Sequence, residues 1–453
     1  MLFATKELTD RFPNHQGAIY DAIQIQSIMT DSRKDSKGSL FVPIVGETFD
    51  GHDFLNEAIK KGAIATFWQK DHTLPSYIPT DFPVFFVENT IHGLLELSIF
   101  YLSKVNPKVV AITGSNGKTT TKDLVASIVS QKFITHKTQG NLNNHIGVPL
   151  TILSMPLSTE VCVLEMGMNH FGEISVLSKI ARPHFAIITN IGESHIEFLG
   201  SRDGIAKAKS EILDGLREDG TFICDGDEPL LKNTNAERKL SCGYQEENDF
   251  YISSIKQNLN STNFIINEKK AFTFSLLGKH NVKNATFAIA VGELLGMADK
   301  DIQKGLNEIE ITKMRFEPVA GKRGSLIIND AYNASPTSMK AAIQLVQEMP
   351  HKKMKVLVLG DIFELGDKSE EFHRSIAEVI TDDSHYLFTV GEKAKWIAEE
   401  VLNKQTTVNV TICKDRIELI QKVEPLLQEE TIVLIKGSRA MKLEECVESF
   451  KES

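Results

Sequence analysis

The chain has 453 residues, of which 42% are hydrophobic and 24% are charged, a composition typical of a globular protein with roughly three domains of about 150 residues each. Its 50 basic and 60 acidic residues give a formal net charge of −10, which argues against broad binding of nucleic acid or anionic membranes. Five widely spaced cysteines without a C-x-x-C pair, no signal peptide and no apolar run of about 18 residues predict a cytoplasmic protein in a reducing compartment, without disulfides, zinc or membrane insertion.

The first part of the chain mixes short strands with turns. The segment GSLFVPIV at 38–45 predicts a strand, and HDFLNEAIKKGA at 52–63 predicts a helix that ends at Gly62. We therefore expect a small α/β domain over residues 1–88. A helix predicted for TIHGLLELSIFYLSKV, at 90–105, then leads into the next part of the chain.

Strands alternate with helices from there to about residue 313. Strands are predicted at 160–167, 184–191 and 220–227, and helices at 202–216 and 284–297. This alternation predicts a mainly parallel sheet covered on both faces, in a central domain over residues 89–313. Shorter alternating runs between residues 248 and 277 predict an antiparallel insertion or sheet edge.

The last part of the chain, residues 314–453, carries four apolar strand segments separated by helical ones. The strands are SLIIND, MKVLVLGD, HYLFTVG and TIVLIKGS. Their spacing predicts an open, doubly wound, Rossmann-like sheet. No G-x-G-x-x-G follows any of these strands, so the sequence does not predict a dinucleotide site there.

The segment VVAITGSNGKTTTKD, at 109–123, resembles a phosphate-binding loop but is two residues short of the pattern G-x-x-x-x-G-K-[ST], because Ile112 stands where that pattern needs glycine. A β-branched run still leads through a glycine-bounded turn into a helix. Backbone N–H groups of residues 114–118 could surround a phosphate, with Lys118 on the outer phosphates and the Thr119 hydroxyl near Mg²⁺. The alternative is an ordinary strand-to-helix turn with a solvated lysine.

Two polar residues follow strands of the same predicted sheet, at the edge where open α/β sheets bind ligands. Glu165 follows VCVL, and His195 follows AIITNIGES. Each alone is more often a surface or structural group. Together with Thr119 they form a plausible Mg²⁺ shell, in which the histidine is the less usual ligand for a hard ion.

Four other residues are candidates for the site, but their side-chain chemistry alone indicates a functional role less strongly. Lys209, in IAKAKSEIL, would ordinarily be a solvated helix lysine. Arg315, in MRFEP, lies at the junction of two predicted domains, where it could reach a transferring phosphoryl group or simply face solvent. Asn281 and Asn284, in GKHNVKNA, could read an adenine edge or merely begin a helix.

These motifs together resemble the ATP-dependent Mur ligases of peptidoglycan synthesis, whose phosphate loop has the short form TGSNGKTT. The likeness extends over essentially the whole chain, through TDSR and GSLFVPIVGETFDGHDF in the first part and GKHNVKNA and MRFEP later. Five longer segments resemble the branch of the family that uses D-alanyl-D-alanine: TQGNLNNHIGVPLT, LEMGMNHFGEI, NDAYNASPTSM, LGDIFELG and KGSRAMKLEE. The chain departs slightly from the family pattern at two positions: it has serine at 115, where threonine is frequent, and serine at 335, where asparagine is frequent.

The resemblance implies roles for the candidate residues. Lys118, His195, Lys209 and Arg315 would be catalytic, with Arg315 on the γ-phosphate. Thr119 and Glu165 would hold a first Mg²⁺, and His195 and Lys209 a second, with Lys209 carbamylated by CO2 in several family members. The expected nucleotide contacts are Gly114, Ser115, Asn116, Gly117, Lys118, Thr119, Thr120, Asn281, Asn284, Arg315 and Asp330. Asn284 would contact adenine and Asp330 would lie near the ribose.

The resemblance also implies where the other substrates bind. The uridine diphosphate end would lie on Ser32, Arg33 and the segment 46–52 that begins at Gly46. Asn141, Asn143 and Asn144 would lie along its sugar and phosphates, and Asn333 belongs to the same motif as Asp330. Lys436, Ser438 and Arg439 would help to receive the incoming dipeptide.

The expected activity is that of an ATP-dependent acid–amino-acid ligase. It would join D-alanyl-D-alanine to UDP-N-acetylmuramoyl-tripeptide through an acyl phosphate, with ATP and two Mg²⁺ ions, and we expect a monomer. One alternative is a family member that adds a single amino acid. Another is a folylpolyglutamate-type synthetase, but the asparagine-rich segment GNLNNHIG and the uridine-type first domain argue against it. A phosphate-loop ATPase that makes no product bond, or a nucleotide-binding regulator, would be a different class.

Overall fold

The computed structural model describes residues 1–21, 23–258, 261–349, 352–404 and 406–452. Its strands form one two-stranded sheet and three larger sheets, which follow one another along the chain. The expected α/β architecture of three domains is therefore confirmed. The division after residues 88 and 313 stays a prediction. In the described part of the chain no helix is both long and apolar enough to cross a bilayer.

The first domain contains a five-stranded sheet. Its strands are β1 Phe3–Ala4, β2 His15–Gln16, β3 Gln24–Ile25, β4 Ser27–Met29, β5 Ser39–Phe41, β6 Ala63–Gln69 and β7 Val84–Val87, and its helix is α1 Leu55–Lys60. The order is β2-β7-β6-β5-β4, parallel except for β2, while β1 and β3 pair separately. The predicted strand stops at Phe41, shortly before Pro43, which has no N–H to donate to a neighbouring strand.

The central domain begins with α2 Thr90–Val105, the helix that the sequence predicted. Asn89 caps it by accepting the backbone N–H groups of Ile91 and His92. The strands are β8 Lys108–Thr113, β9 Thr135–Lys137, β10 Val161–Glu165, β11 Phe185–Ile188, β12 Thr221–Asp225, β13 Lys239–Gly243, β14 Phe250–Gln257, β15 Thr262–Ile266 and β16 Lys270–Phe274. The helices are α3 Lys118–Val129, α4 Gly147–Ser154, α5 Glu173–Ala181, α6 Ile196–Leu199, α7 Arg202–Ser210, α8 Pro229–Lys232, α9 Lys279–Leu294 and α10 Asp299–Asn307.

The nine strands run in the order β16-β15-β14-β13-β12-β11-β8-β10-β9. All neighbours are parallel except β14–β15 and β15–β16, so the predicted parallel sheet with an antiparallel edge is confirmed. Both faces are buried, because Val109 and Ala111 of β8 enter one core and Val110 and Ile112 enter another. Since β10 and β11 flank β8, the residues that follow these three strands meet at one edge.

The last domain has a six-stranded sheet in the order β17-β18-β22-β19-β20-β21. The strands are β17 Glu317–Ala320, β18 Leu326–Asp330, β19 Met354–Gly360, β20 Tyr386–Val390, β21 Asn409–Cys413 and β22 Thr431–Lys436. The helices are α11 Pro336–Gln347, α12 Ser369–Ile376, α13 Lys395–Leu402, α14 Arg416–Val423 and α15 Glu444–Phe450. Only β17 is antiparallel, and separate apolar cores cover the two faces, which confirms the doubly wound sheet. The two edge strands, β17 and β21, were not predicted.

Candidate active site

The phosphate loop, residues 114–119, connects β8 to α3. Gly114 has φ +150°, and a Cβ there would lie 1.9 Å from the Thr189 hydroxyl oxygen. Gly117 has φ +81° at the start of α3, and a Cβ there would lie 2.5 Å from Asn284 Oδ1. Both positions therefore require glycine, for the backbone conformation and for the close approach of a neighbouring side chain.

The residues that follow β11 hold this loop in shape. Asn190 Oδ1 accepts the Asn116 N–H at 2.9 Å, while Asn190 Nδ2 and the Thr189 hydroxyl donate to the Asn116 carbonyl at 3.0 and 2.6 Å. The Ser115 hydroxyl accepts the Gly192 N–H at 2.8 Å. Thr189 and Asn190 were not predicted, because the strand expected at 184–191 included them, whereas β11 ends at Ile188.

Lys118 folds back over the loop. Its Nζ donates to the carbonyl oxygens of Gly114 at 2.6 Å and Ser115 at 3.3 Å. Burial lowers the pKa of Lys118 to about 8; Glu165 opposes this change and the positive charge of Arg315 adds to it. An arriving phosphate would therefore meet an ammonium that is held close but is less firmly protonated than usual.

Thr119 and Glu165 meet next to this loop, as predicted for a metal shell. The Thr119 hydroxyl donates to Glu165 Oε2 at 2.8 Å, and Asn143 Nδ2 donates to Glu165 Oε1 at 2.9 Å. Both Thr119 and Glu165 are buried. A hydroxyl and a carboxylate are oxygen donors of the kind Mg²⁺ prefers, so the residues fit that ion.

Lys209 is not a solvated lysine. Its side chain, on α7, is only 2% exposed, and its Nζ has neither a hydrogen bond nor an ion pair with any residue that the structure describes. Burial, with a contribution from the positive charge of Lys118, lowers the pKa of Lys209 well below its ordinary value. The structure therefore favours a neutral amine at this position.

His195 contacts the last domain. It has a left-handed backbone (φ +64°), and its Nδ1 lies 2.6 Å from Glu364 Oε2. This contact lowers the pKa of Glu364. Glu364, in the LGDIFELG segment, was not predicted, because nothing in the sequence shows that this loop reaches the central domain.

Arg315 lies over the Tyr332 ring, with its Cζ 4.2 Å from the ring centroid. Its Nε is buried and has no hydrogen-bond partner among the described residues. The residues on either side, Met314 and Phe316, have left-handed backbones with φ +62° and +50°. An unpartnered guanidinium nitrogen at a conformationally unusual junction is free to bind an anion.

Three predicted residues of the last domain form one polar group. Lys436 Nζ lies 2.5 Å from Asp330 Oδ2 and donates to the Asn333 carbonyl at 3.1 Å. Lys436 is only 3% exposed, and Asp330 Oδ1 accepts the Phe316 N–H at 3.0 Å. Lys436 therefore lies beside Asp330, one of the nucleotide candidates, and its role in receiving the dipeptide stays a prediction.

Most of the predicted residues line one cavity of about 700 Å³ between the central and last domains. These are Ser115, Asn116, Gly117, Lys118, Thr119, Thr120, Asn141, Asn143, Asn144, Glu165, His195, Asn281, Asn284, Arg315, Asp330, Asn333 and Lys436. The predicted residues that do not line it are Ser32, Arg33, Gly46, Gly114, Lys209, Ser438 and Arg439. Four polar contacts between described residues join the two domains beside the cavity: Ser335 to Asn116 (3.0 Å), Thr337 to Glu193 (2.7 Å), His195 to Glu364 (2.6 Å) and the Glu197 N–H to the Glu364 carbonyl (3.2 Å).

Several predicted residues already have structural partners. Asn144 Oδ1 accepts the N–H groups of residues 146 and 147 and so caps α4, and the Asn281 side chain donates to the carbonyl of residue 277. Ser438 is buried and its hydroxyl accepts the N–H of residue 363. Arg439 pairs with residue 444 at 2.9 Å. In the first domain the exposed Arg33 pairs with residue 31 at 2.8 Å.

A second polar cluster, in the first domain, was not predicted. Asp50 Oδ1 lies 2.6 Å from His52 Nδ1, and Asp50 Oδ2 lies 2.9 Å from His72 Nε2, while His72 Nδ1 lies 2.7 Å from Asp71. The two imidazole rings stack 4.1 Å apart at 22°. Nearly parallel stacked rings cannot both direct a lone pair at one ion, so these residues form a hydrogen-bonded network of carboxylates and imidazoles rather than a metal centre.

The network makes a prediction for stability. Hydrogen bonds to Asp71 and Asp50 raise the pKa of His72, so its contribution is complete below the unfolded pKa of about 6.5 and is lost as pH rises through the folded pKa. We expect His72→Gln to lower the free energy of unfolding more at about pH 6 than at about pH 9, measured by urea unfolding. His92→Gln, at an exposed histidine of α2, is the control; an equal loss at both pH values would contradict the prediction.

Comparison with known proteins assigns the chain to a class. The description "Mur ligase middle domain" matches residues 112–292, "Mur ligase, glutamate ligase domain" matches 314–439, and "Mur ligase family, catalytic domain" matches 24–94. The chain belongs to the Mur ligase family.

The particular relatives share one name, UDP-N-acetylmuramoyl-tripeptide--D-alanyl-D-alanine ligase. The protein from Bacillus subtilis strain 168 is 45% identical over 436 residues, 96% of this chain and 95% of that protein. The Escherichia coli K12 protein is 34% identical over 442 residues, 95% of each. A crystal structure of MurF from Acinetobacter baumannii has a TM-score of 0.86 at 31% identity, covering 98% of both chains. MurF from Thermotoga maritima, in complex with ADP, has a TM-score of 0.82 at 28% identity, covering 94% of this chain and 97% of that one.

Proposed function

We propose that this chain is an ATP-dependent ligase that joins D-alanyl-D-alanine to UDP-N-acetylmuramoyl-tripeptide, giving the pentapeptide precursor, ADP and phosphate. The observation that carries the proposal is the meeting, in one cavity, of the phosphate loop, the Thr119–Glu165 pair and Arg315 from the other domain. An ATPase can use the same three features, so the choice of a ligase rests in addition on the 45% identity, over 96% of this chain, to a protein named as a ligase. A structure of folylpolyglutamate synthase is only 15% identical, so it supports the shared fold alone.

The chemical difficulty is the meeting of two anions. The terminal carboxylate of the tripeptide must attack the γ-phosphorus of ATP, and two unit charges about 4 Å apart repel by roughly 4 kcal/mol at an effective dielectric of about 20. Lys118 and Arg315 would offset this repulsion and stabilise the charge on the transferring group. The amine of D-alanyl-D-alanine then attacks the acyl phosphate, a C–N bond forms, and phosphate leaves.

Thr119 and Glu165 would hold one Mg²⁺, and His195 with a carbamylated Lys209 a second. When bound, Mg²⁺ would neutralise phosphate charge and orient the transferring group. The remaining assignments follow the sequence: Asn281 and Asn284 at adenine, and Asp330 near the ribose. The residues proposed to bind the UDP-linked peptide are Ser32, Arg33, Gly46, Asn141, Asn143, Asn144 and Asn333. Those proposed to bind the dipeptide are Lys436, Ser438 and Arg439. We propose domains at 1–88, 89–313 and 314–453 in a cytoplasmic monomer.

The proposal for Lys209 is supported by its burial and lowered pKa, because only a neutral amine attacks CO2. The N–C bond forms, one proton leaves the nitrogen, and the product is an anionic oxygen donor. We expect protein incubated with ¹³C-bicarbonate to show one carbamate carbonyl resonance in NMR that Lys209→Gln abolishes. Lys207→Gln, at an exposed lysine of the same helix, should keep it. A resonance that survives in Lys209→Gln would remove this assignment.

The test of the activity is phosphate release in the presence of ATP, Mg²⁺ and the UDP-linked tripeptide, with and without D-alanyl-D-alanine. Sustained release should require both acceptor substrates. A tripeptide with ¹⁸O in its terminal carboxylate should pass one ¹⁸O to the released phosphate, because the acyl phosphate breaks at the acyl carbon. Equal release without either acceptor would instead support a simple ATPase.

A further inference from the structure

The segment between the central and last domains switches its hydrogen bonds from one domain to the other within two residues. It runs from the end of α10 at Asn307 to the start of β17 at Glu317. Thr312 is hydrogen-bonded to the central domain: its N–H and its hydroxyl both donate to Asp123 Oδ2, at 3.0 and 2.8 Å. Two residues later, Met314 is hydrogen-bonded to the last domain.

Two hydrogen bonds fix Met314 to the last domain. Its N–H donates to Glu317 Oε2 at 2.8 Å, and its carbonyl accepts the Tyr332 N–H at 3.3 Å. Only the exposed Lys313 lies between the two anchored residues. A rotation of one domain against the other that preserved these bonds would have to occur in the backbone of Lys313 and at Met314, whose φ of +62° is already unusual for a residue with a side chain.

Asp123 is a strong anchor for the central side. It lies on α3, the helix that begins at Lys118, and is only 1% exposed. Its Oδ1 accepts from Lys137 Nζ at 2.7 Å, and the buried Lys122 Nζ lies 3.4 Å from the same oxygen. Burial raises the pKa of Asp123, but the two lysines and Thr312 outweigh this effect and leave the pKa lowered, so the carboxylate is charged.

We propose that Asp123 is a positioning residue for Arg315. By clamping Thr312 to the helix that begins at Lys118, it confines rotation of the last domain against the central one to residues 313 and 314, so that Arg315 takes the same position in the cavity whenever the two domains come together. This inference rests on the proposed role of Arg315 at the γ-phosphate. A displacement of about 1 Å at such a group can cost about 100-fold in rate, so a loose anchor would matter even far from the reaction.

The test uses three variants of the full chain. Asp123→Asn removes the charge, and Thr312→Val removes the hydroxyl donor while leaving the buried carboxylate with both lysines. Thr312→Ser restores the hydroxyl. Ser127→Ala is the matched control, because Ser127 lies on the same helix and donates at 2.7 Å to the carbonyl of Gly305, before the segment in question.

The first measurement is the distance between spin labels on Glu237→Cys and Glu392→Cys, two exposed positions in the central and last domains; the five native cysteines are all buried. With ADP and Mg²⁺, we expect a broader distance distribution in Asp123→Asn and Thr312→Val than in the wild type and Ser127→Ala. The second is steady-state kinetics: kcat should fall by about tenfold in Asp123→Asn with a small change in the KM for ATP, and Thr312→Ser should recover the wild-type value.

The two readouts separate the possible failures. Variants with a lower melting temperature but an unchanged distance distribution and kcat would overturn the proposal and leave Asp123 a stabilising residue only. Should Asp123→Asn fail to fold, Thr312→Val decides the question. If Arg315→Ala keeps full turnover, the proposed role of Arg315 fails, whereas the distance measurement still reports whether the clamp exists.

Discussion

Replacing Arg315 with alanine is expected to lower kcat by about three orders of magnitude and to change the affinity for ATP little. Arg315 comes from the last domain, lies on the Tyr332 ring and has a buried Nε without a protein partner. Its guanidinium would gain most of its interaction when charge spreads over the transferring phosphoryl group, and such interactions raise kcat rather than ground-state binding. Steady-state kinetics, with ATP binding measured by calorimetry, would check both parts.

The matched control for this variant is Arg439→Ala. Arg439 lies near the same ring, with its Cζ 6.0 Å from the Tyr332 centroid, but it does not line the cavity. We expect its removal to raise the KM for D-alanyl-D-alanine and to leave kcat within a few-fold of the wild type. Unchanged turnover in Arg315→Ala would exclude that residue from phosphoryl transfer.

The second large effect is expected for Lys118→Ala, which should lower kcat/KM for ATP by about 100- to 1000-fold. The Lys118 ammonium is held over the loop by the carbonyl groups of Gly114 and Ser115, so it needs little reorganisation to reach the outer phosphates. Lys108→Ala, at an exposed lysine that begins β8, the strand that leads into the phosphate loop, should behave as the wild type. Comparable losses in both variants would indicate damage to the strand instead.

The same lysine predicts a pH dependence. Because burial lowers the pKa of Lys118 to about 8 in the free protein, a growing share of the side chain is neutral above that pH and attracts phosphate less. The dissociation constant for ATP should therefore rise as pH increases through about 8 in the wild type. In Lys118→Ala this rise should be absent. A wild-type affinity that is flat from about pH 7 to about pH 9 would contradict the lowered pKa.

The sequence was most informative where local signals and topology agreed. Helix α2 was predicted from residue 90 to residue 105, because its periodicity begins at the capping residue Asn89 and ends at Asn106, which has φ +53°. The convergence of Thr119, Glu165 and His195 followed from parallel strands alone, since β10 and β11 flank β8. The edge strands β17 and β21 were missed because Pro318 and partly exposed residues hide their pattern.

The sequence was least informative about partners that are distant along the chain. The burial of Lys209 depends on how α7 packs, and a run of alternating lysines on a short helix ordinarily indicates a solvated face. Glu364 meets His195 only because two domains are brought together. Likewise, the Ser438 hydroxyl accepts the N–H of Phe363, a partner 75 residues away that no local motif revealed.

The cavity whose two walls belong to different domains has a consequence for inhibitors. A compound that touches both the phosphate loop and the Tyr332 side can bind fully only while the walls are together, and polar contacts between the two domains, Ser335–Asn116 and Thr337–Glu193 among them, hold them so. Its apparent dissociation constant equals the intrinsic value divided by the fraction of molecules in that arrangement. Loss of the Thr337–Glu193 contact could therefore weaken such a drug without altering any atom that it touches, a route to resistance outside the binding site.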